Sequence, residues 1–313
     1  MESRVIGNSG LRVSLVGLGC NNFGGRLDLA GTRKVVDKAL ELGITLLDTA
    51  DTYGNQGGSE SLLGEVLGAR RKTIVLASKF AKPMDKEGKL RGGSRNYVRA
   101  ALDASLRRLK TDWIDLYQMH EPDPKIPIDE TLATLDELKQ AGKIRAYGCS
   151  NFEAVELGQA QDSAKRLGVA GFVSFQDEYS LLNRAIEGDL IATASGYGMS
   201  LLPYYPLASG LLTGKYQRDA ALPPGTRLAA NARNAEKLLH DANWRKVEAL
   251  NGFCQARGKT LLELAISWLA CRGPVASVIA GATKPEQVEA NITAAGWKLS
   301  AADMAEIDRI TLP

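Results

Sequence analysis

Short apolar runs alternate with longer segments of helical periodicity along the whole chain. Residues 15–18, 44–47, 74–77, 116–119, 146–149, 173–176, 200–203 and 277–279 each have the length and composition of a buried strand. The segments between them carry recognisable helix ends. Residues 32–42 stop at Gly43 and residues 127–141 at Gly142, both placed as the glycine that follows a helix C-terminus. Ser94 is placed to cap a helix whose apolar face is Val98, Ala101, Leu102, Leu106 and Leu109. Residues 152–167, 244–257 and 261–271 are further helical segments, and Thr283-Lys284-Pro285-Glu286 reads as a capping box opening a helix toward Ala294.

Strand-then-helix units repeated without a break in composition predict an α/β fold, a (β/α)8 TIM barrel occupying residues 1–313 as a single domain. The competing open, doubly wound sheet would carry G-x-G-x-x-G after its first strand. Here Gly17-Leu18-Gly19-Cys20-Asn21-Asn22 supplies only the first half of that fingerprint. Three additions to a minimal barrel are expected. An N-terminal hairpin turning at Asn8-Ser9-Gly10 closes the barrel floor, and a C-terminal extra helix over 301–310 starts at Ser300. The segment 207–243, with Gly210, Gly214, Pro223, Pro224 and Gly225, is too long and turn-rich for a mere connector, and loops of that size are usually functional.

Composition narrows the function classes. The near-balance of 39 basic and 36 acidic residues in a 313-residue chain gives no basis for nucleic acid or an anionic membrane as partner. Four scattered cysteines, Cys20, Cys149, Cys254 and Cys271, argue for reduced thiols rather than a disulfide framework, and with only two histidines they offer no metal-ligand cluster. Met1-Glu2-Ser3-Arg4 does not begin a signal peptide, and no apolar run approaches the roughly 20 residues of a membrane helix. The expectation is a soluble, cytoplasmic protein of undetermined oligomeric state.

The chemistry of a barrel sits where strands end and βα loops begin. Those ends carry Asp48 after the second strand, Lys79 after the third and His120 after the fourth, with Tyr53 in the loop beyond Asp48. Singly, each has an ordinary explanation: a turn-capping Asp, a packed loop aromatic, a solvated lysine, a core histidine. Together they suit proton donation to a carbonyl oxygen. Delivery of hydride to a carbonyl carbon generates alkoxide character, and an acid must stand beside that oxygen. A neighbouring ammonium, Lys79, favours the phenolate of Tyr53 and eases proton exchange; Asp48 offsets the buried charge; His120 orients the carbonyl.

Leu47-Asp48-Thr49-Ala50-Asp51-Thr52-Tyr53-Gly54, Ser78-Lys79 and Tyr117-Gln118-Met119-His120 resemble the signature segments of the aldo-keto reductase family, in the family's order, and the likeness spans nearly the whole chain. The resemblance implies that Tyr53 is the general acid/base, tuned by Lys79 and Asp48, with His120 orienting substrate. It implies a nicotinamide dinucleotide, NADP(H), and a small-molecule carbonyl substrate. Ser150, Asn151 and Gln176 are then placed at the nicotinamide carboxamide, and Tyr204 stacks on the nicotinamide face. Gly19, Cys20 and Asn21 lie by the nicotinamide ribose; the similar bacterial and potassium-channel β-subunit branch often has threonine and tryptophan at the last two positions. Pro206, Leu207, Ser209, Gly210, Lys215 and Arg227 belong to a clamp over the phosphates. Gly281, Thr283, Gln287 and Asn291 fall at the adenosine end, where a helix N-terminus in the last βα units attracts anions. Many family members carry arginine where Gln287 stands, so NADPH preference rests on Lys215, Arg227, Thr283 and Lys284.

Phe23, Phe80, Trp113 and the loop 121–125 are candidate walls of the substrate pocket. The alternative from another class is a dinucleotide-binding sensor or auxiliary subunit with little turnover; a barrel isomerase that binds no dinucleotide is a third. The physiological substrate and the reaction direction are not encoded in any motif.

Overall fold

The computed structural model describes residues 1–312. Strands β1 (Ser3–Val5) and β2 (Arg12–Ser14) pair antiparallel as the N-terminal hairpin. Eight further strands follow: β3 (Val16–Gly19), β4 (Leu46–Asp48), β5 (Val75–Phe80), β6 (Ile114–Met119), β7 (Ile144–Ser150), β8 (Ser174–Gln176), β9 (Ser200–Leu201) and β10 (Val278–Gly281). They pair in parallel in the order β10-β3-β4-β5-β6-β7-β8-β9. Leu201 bridges Val275 in parallel, and the Ile279 N–H donates to the Pro203 carbonyl at 3.2 Å, so the last strand also meets β9. The sheet has no free edge. It is a closed (β/α)8 barrel, and each sequence-predicted strand overlaps an observed one.

Helices α1 (Leu29–Glu41), α2 (Tyr53–Leu67), α3 (Arg95–Leu109), α4 (Ile128–Gln140), α5 (Ala154–Leu167) and α6 (Asp189–Gly196) follow β3 to β8 in turn. After β9 come α7 (Ala232–Leu238), α8 (Asp241–Gln255) and α9 (Leu261–Ala270); α10 (Pro285–Thr293) follows β10, and α11 (Ala301–Thr311) is the extra terminal helix. The larger apolar core lies between this ring and the outer faces of the strands, with Val35, Leu63, Leu102, Leu135 and Leu264 all fully buried. A second, smaller core fills the barrel interior: Leu46, Val75, Ala77, Leu116, Ala146 and Leu202 packed on Ile6, Leu11 and Val13 of the hairpin. The hairpin is therefore the barrel floor. It is tied there by Gly7 N–H to Ser200 Oγ at 2.8 Å and by Ser14 N–H to Thr45 Oγ1 at 2.8 Å.

Local chemistry explains which helix ends were legible. Ser94 accepts from the Tyr97 N–H at 3.4 Å, and Ser300 with Asp303 forms a reciprocal capping box. The box expected at Thr283 does not form. Lys284 occupies the cap position without a side-chain bond, Pro285 opens the helix, and Gln287 Oε1 instead accepts from the Thr283 N–H at 2.7 Å and its hydroxyl at 3.1 Å. The segment 207–243 is less irregular than expected, since it holds a 3-10 stretch at Ala208–Thr213 and the helix α7.

Helices α2 and α6 were not anticipated. Tyr53 lies, as expected, in the connection after β4: although α2 is bounded from Tyr53, Gly54-Asn55-Gln56-Gly57 is non-helical and the regular helix begins only after it. Those four residues take positive φ, from 61° to 108°, and swing the chain from the barrel mouth into the regular helix. A Cβ at Gly54 would stand 2.3 Å from the Phe23 carbonyl oxygen, so the residue after Tyr53 has no room for a side chain.

Candidate active site

Asp48 closes β4, Lys79 is the penultimate residue of β5 and His120 directly follows β6, so three neighbouring parallel strands deliver all three to the same barrel end. The Lys79 ammonium has no solvent exposure and donates three bonds: to Asp48 Oδ2 at 2.8 Å, to the Thr49 carbonyl at 2.8 Å and to the Tyr53 hydroxyl at 3.3 Å. That satisfies every proton of the group. The other carboxylate oxygen, Asp48 Oδ1, accepts from Gln176 at 3.0 Å and Gln118 at 3.2 Å. The Tyr53 and His120 rings stand edge to face with centroids 5.8 Å apart. The four side chains singled out in the sequence thus form one constellation at the mouth.

Burial dominates the electrostatics. It pushes the Tyr53 phenol above its ordinary pKa; the Lys79 charge pulls the other way without overcoming it, and Asp48 adds to the rise. Lys79 does favour the phenolate, as anticipated, but desolvation outweighs it and Tyr53 is held as the protonated donor. Burial alone would lower the Lys79 pKa, but Asp48 and Tyr53 together raise it, so the ammonium stays charged. His120 is held well below the usual histidine range by burial and by Lys79 and Lys82. Its Nδ1 is buried without a hydrogen-bond partner among the described residues, and the residue lines the cleft.

Behind Tyr53 lies a second buried polar group. Asp51 is only 1% exposed, and neither of its carboxyl oxygens has a hydrogen-bond partner among the described residues; the same holds for the Tyr97 and Tyr117 hydroxyls. Burial, reinforced by Glu60, raises the Asp51 carboxyl to about 8. Glu60 itself is engaged by Ser78 at 2.5 Å and Arg108 at 2.7 Å.

In front of the constellation opens a cleft of about 660 Å³, within the range of small-molecule and cofactor sites. Asp48, Tyr53 and His120 line it, as does every residue placed by resemblance at a dinucleotide. Several of those side chains are engaged by one another. Asn151, in left-handed conformation at φ 60°, donates to the His120 carbonyl at 2.9 Å and to Ser150 Oγ at 3.0 Å, and accepts from the Tyr204 hydroxyl at 2.8 Å. Gln176 spends its amide on Asp48. Arg227 reaches back over the cleft to Asn21 Oδ1 at 3.2 Å and Asn22 Oδ1 at 3.0 Å, and Arg26 donates to the Gly225 carbonyl at 2.6 Å. The loop after β9 is thereby strapped to the loop after β3. Cys20 has no exposed surface and turns its thiol to the Leu18 carbonyl, so it offers no side-chain contact.

The expected pocket walls are not there. Phe23 is wholly in the helix-side core, Phe80 stacks on Tyr117 behind the sheet, and Trp113 precedes β6 at the opposite end of the barrel, between Arg71 and Arg145. The cleft instead presents Arg26 and Lys82, which the sequence reading did not name, and Tyr205, which it set aside in favour of Tyr204. Lys82 could have been found, since it lies three residues past Lys79 in a βα loop. Gln118, which braces Asp48, carries the same signal of inward alternation on β6.

Comparison with known proteins bears on this geometry. Residues 15–311 match the model of the aldo/keto reductase family. A protein of Oryza sativa subsp. japonica described as "Probable voltage-gated potassium channel subunit beta" is 34% identical over 94% of this chain and 91% of its own length. The L-glyceraldehyde 3-phosphate reductase of Escherichia coli (strain K12) is 33% identical over 99% of this chain and 92% of its own. Aldo-keto reductase YhdN of Bacillus subtilis (strain 168) is 33% identical over 99% of this chain and 93% of its own.

Proposed function

The chain belongs to the aldo/keto reductase family, and from that premise we propose that it is an NADP(H)-dependent carbonyl reductase in which Tyr53 is the proton donor. The observation that carries the reading is the bond from Lys79 Nζ to the Tyr53 hydroxyl, with Lys79 itself anchored on Asp48, beside a cleft of about 660 Å³ that Tyr53 lines.

A bound nicotinamide dinucleotide supplies the hydride. The donor set suits such a group: Ser150, Asn151 and Gln176 are amide and hydroxyl groups beside the constellation, and the cleft lining also holds Lys215, Arg227 and Lys284 with no carboxylate among the described lining residues except Asp48. Lys215, Arg227 and Lys284 would meet the phosphates, and their surplus of positive charge supports NADP(H) over NAD(H). Thr283 and Gln287, bonded to each other, would lie against the adenosine end.

The remaining steps belong to the protein's own residues. Neutral His120 donates from Nε2 to the carbonyl oxygen and orients it. Tyr53, kept protonated by burial, gives its proton to that oxygen as negative charge develops there. Lys79 stabilises the phenolate left behind, and Asp48, held by Gln118 and Gln176, fixes Lys79. The reverse transfer, alcohol oxidation, uses the same atoms. A role limited to cofactor sensing would leave this tuned donor without a purpose.

The test is single-turnover mixing of the NADPH-loaded protein with an aldehyde, followed by loss of the nicotinamide absorbance. Wild type should oxidise its NADPH. Tyr53→Phe should slow the step by about 10²–10⁴-fold with little change in NADPH affinity. Equal rates for the two proteins would remove Tyr53 from the chemistry; no oxidation by either would leave the binding-only role.

A further inference from the structure

We propose that Lys82 is the residue that recognises substrate charge, so that the preferred substrate is an aldehyde or ketone bearing an anionic group, a carboxylate or a phosphate. The inference rests on the reading of Tyr53 as proton donor, because it is Tyr53 and His120 that mark the substrate's end of the cleft.

Position is the first support. Lys82 lines the same cleft as Tyr53 and His120 and lies in the segment joining β5 to α3. The chain kinks immediately before it: Ala81 takes φ 91°, unusual for a residue with a Cβ, and its carbonyl accepts from the Gly92 N–H at 2.9 Å. Strain of this kind persists where surrounding structure holds it and clusters at ligand sites.

The second support is that Lys82 alone, among the cations nearest the constellation, is uncommitted. Lys79 is spent on Asp48, Thr49 and Tyr53, and Arg26 on the Gly225 carbonyl. Lys82 has no ion pair and no side-chain hydrogen bond among the described residues. Glu121, the carboxylate that acts on it most strongly, is paired with Arg91 at 2.7 Å. Partial burial and the Lys79 charge both lower the Lys82 pKa, so the ammonium sits in a place that disfavours it. A half-buried, unpaired charge is unfavourable and is relieved by a ligand of opposite sign.

The third support is the sign of the cleft. Asp48 is its one carboxylate among the described residues, and that is neutralised by Lys79. Glu121, the acidic group closest in effect to Lys82, lies outside the cleft lining and is neutralised by Arg91. The other lining cations, Lys215, Arg227 and Lys284, are those proposed above to meet the dinucleotide phosphates.

The experiment compares matched substrates that differ in charge: 4-carboxybenzaldehyde against 4-nitrobenzaldehyde, and glyceraldehyde 3-phosphate against glyceraldehyde, with wild type, Lys82→Met and Lys82→Arg. Wild type should favour the charged member of at least one pair, and which pair shows the preference separates carboxylate from phosphate. In Lys82→Met the charged-to-neutral ratio of kcat/KM should fall by about tenfold or more, through KM, and Lys82→Arg should restore most of it. An unchanged ratio in Lys82→Met, or no preference in wild type, overturns the proposal. If no aldehyde is reduced, the Tyr53 reading fails instead. Calorimetric titration of the NADP⁺ complex with 4-carboxybenzyl alcohol and with glycerol 3-phosphate still tests Lys82: weaker binding of either by Lys82→Met supports it, and equal binding of both by the two proteins sinks it.

Discussion

The interior of this barrel has two levels built from the same strands with opposite chemistry. On β4, Leu46 packs in the floor core while Asp48, two residues on, carries the charge of the constellation. On β5, Ala77 and Lys79 stand in the same relation, and on β6, Leu116 and Gln118. Because alternate residues share a face of a strand, both members of each pair point inward. The lower level needs only close packing against Ile6, Leu11 and Val13 of the hairpin, whereas the upper level must pair its buried charge, Lys79 with Asp48. A barrel closed by a dry plug at one end can hold a desolvated lysine at the other, and that desolvation keeps Tyr53 protonated.

Breaking the upper level should cost most. In Lys79→Met, Asp48 keeps its bonds from Gln118 and Gln176 but loses its counter-charge, and removal of one partner of a buried pair typically destabilises by about 3–5 kcal/mol. Chemical denaturation should show that loss, together with near-complete loss of carbonyl reduction. A variant as stable as wild type would mean that the pair is not a closed, water-free unit.

Breaking the lower level should cost somewhat less and leave chemistry alone. Leu116→Ala opens a cavity in the floor core, with an expected loss of about 3 kcal/mol. Single-turnover rates with a saturating aldehyde should stay close to wild type at a temperature where the variant is folded. A rate loss approaching that of Lys79→Met would show the two levels to be mechanically one.

A further comparison comes from outside the barrel, where Asp51 is buried without a hydrogen-bond partner among the described residues. Its folded-state carboxyl is raised to about 8, from 3.8 as the unpaired reference. The folded state therefore holds a proton that the unfolded state releases, so Asp51 favours folding at low pH and loses that contribution as pH rises from about 4 to about 8. Asp51→Asn removes the dependence. Relative to wild type, the variant should gain at least about 1.4 kcal/mol between pH 5 and pH 9 in urea titrations, one pKa unit's worth. An identical difference at both pH values would show that Asp51 is hydrated or paired.

Much of the architecture was legible because it depends on short-range rules. Strand positions followed from apolar runs of the right length, and Ser94 and Ser300 announced their helices through caps. Helix α2 was not legible, since the glycine and polar residues that lead into it, in left-handed conformation, read and fold as a loop. Tyr53, Lys79, Asp48 and His120 were found because strand ends in a parallel barrel converge on one mouth. The pocket walls were misplaced for a related reason: Phe23 and Phe80 lie near strand ends, but their direction is set by packing against α-helices and Tyr117.

The chain by itself determined a closed parallel barrel, its floor hairpin and the set of residues brought to its mouth, since alternation and strand order are local or topological properties. Only the tertiary structure decided the protonation of Tyr53 and the freedom of Lys82. Both depend on burial and on which partners distant segments supply, quantities that spacing along a chain does not carry.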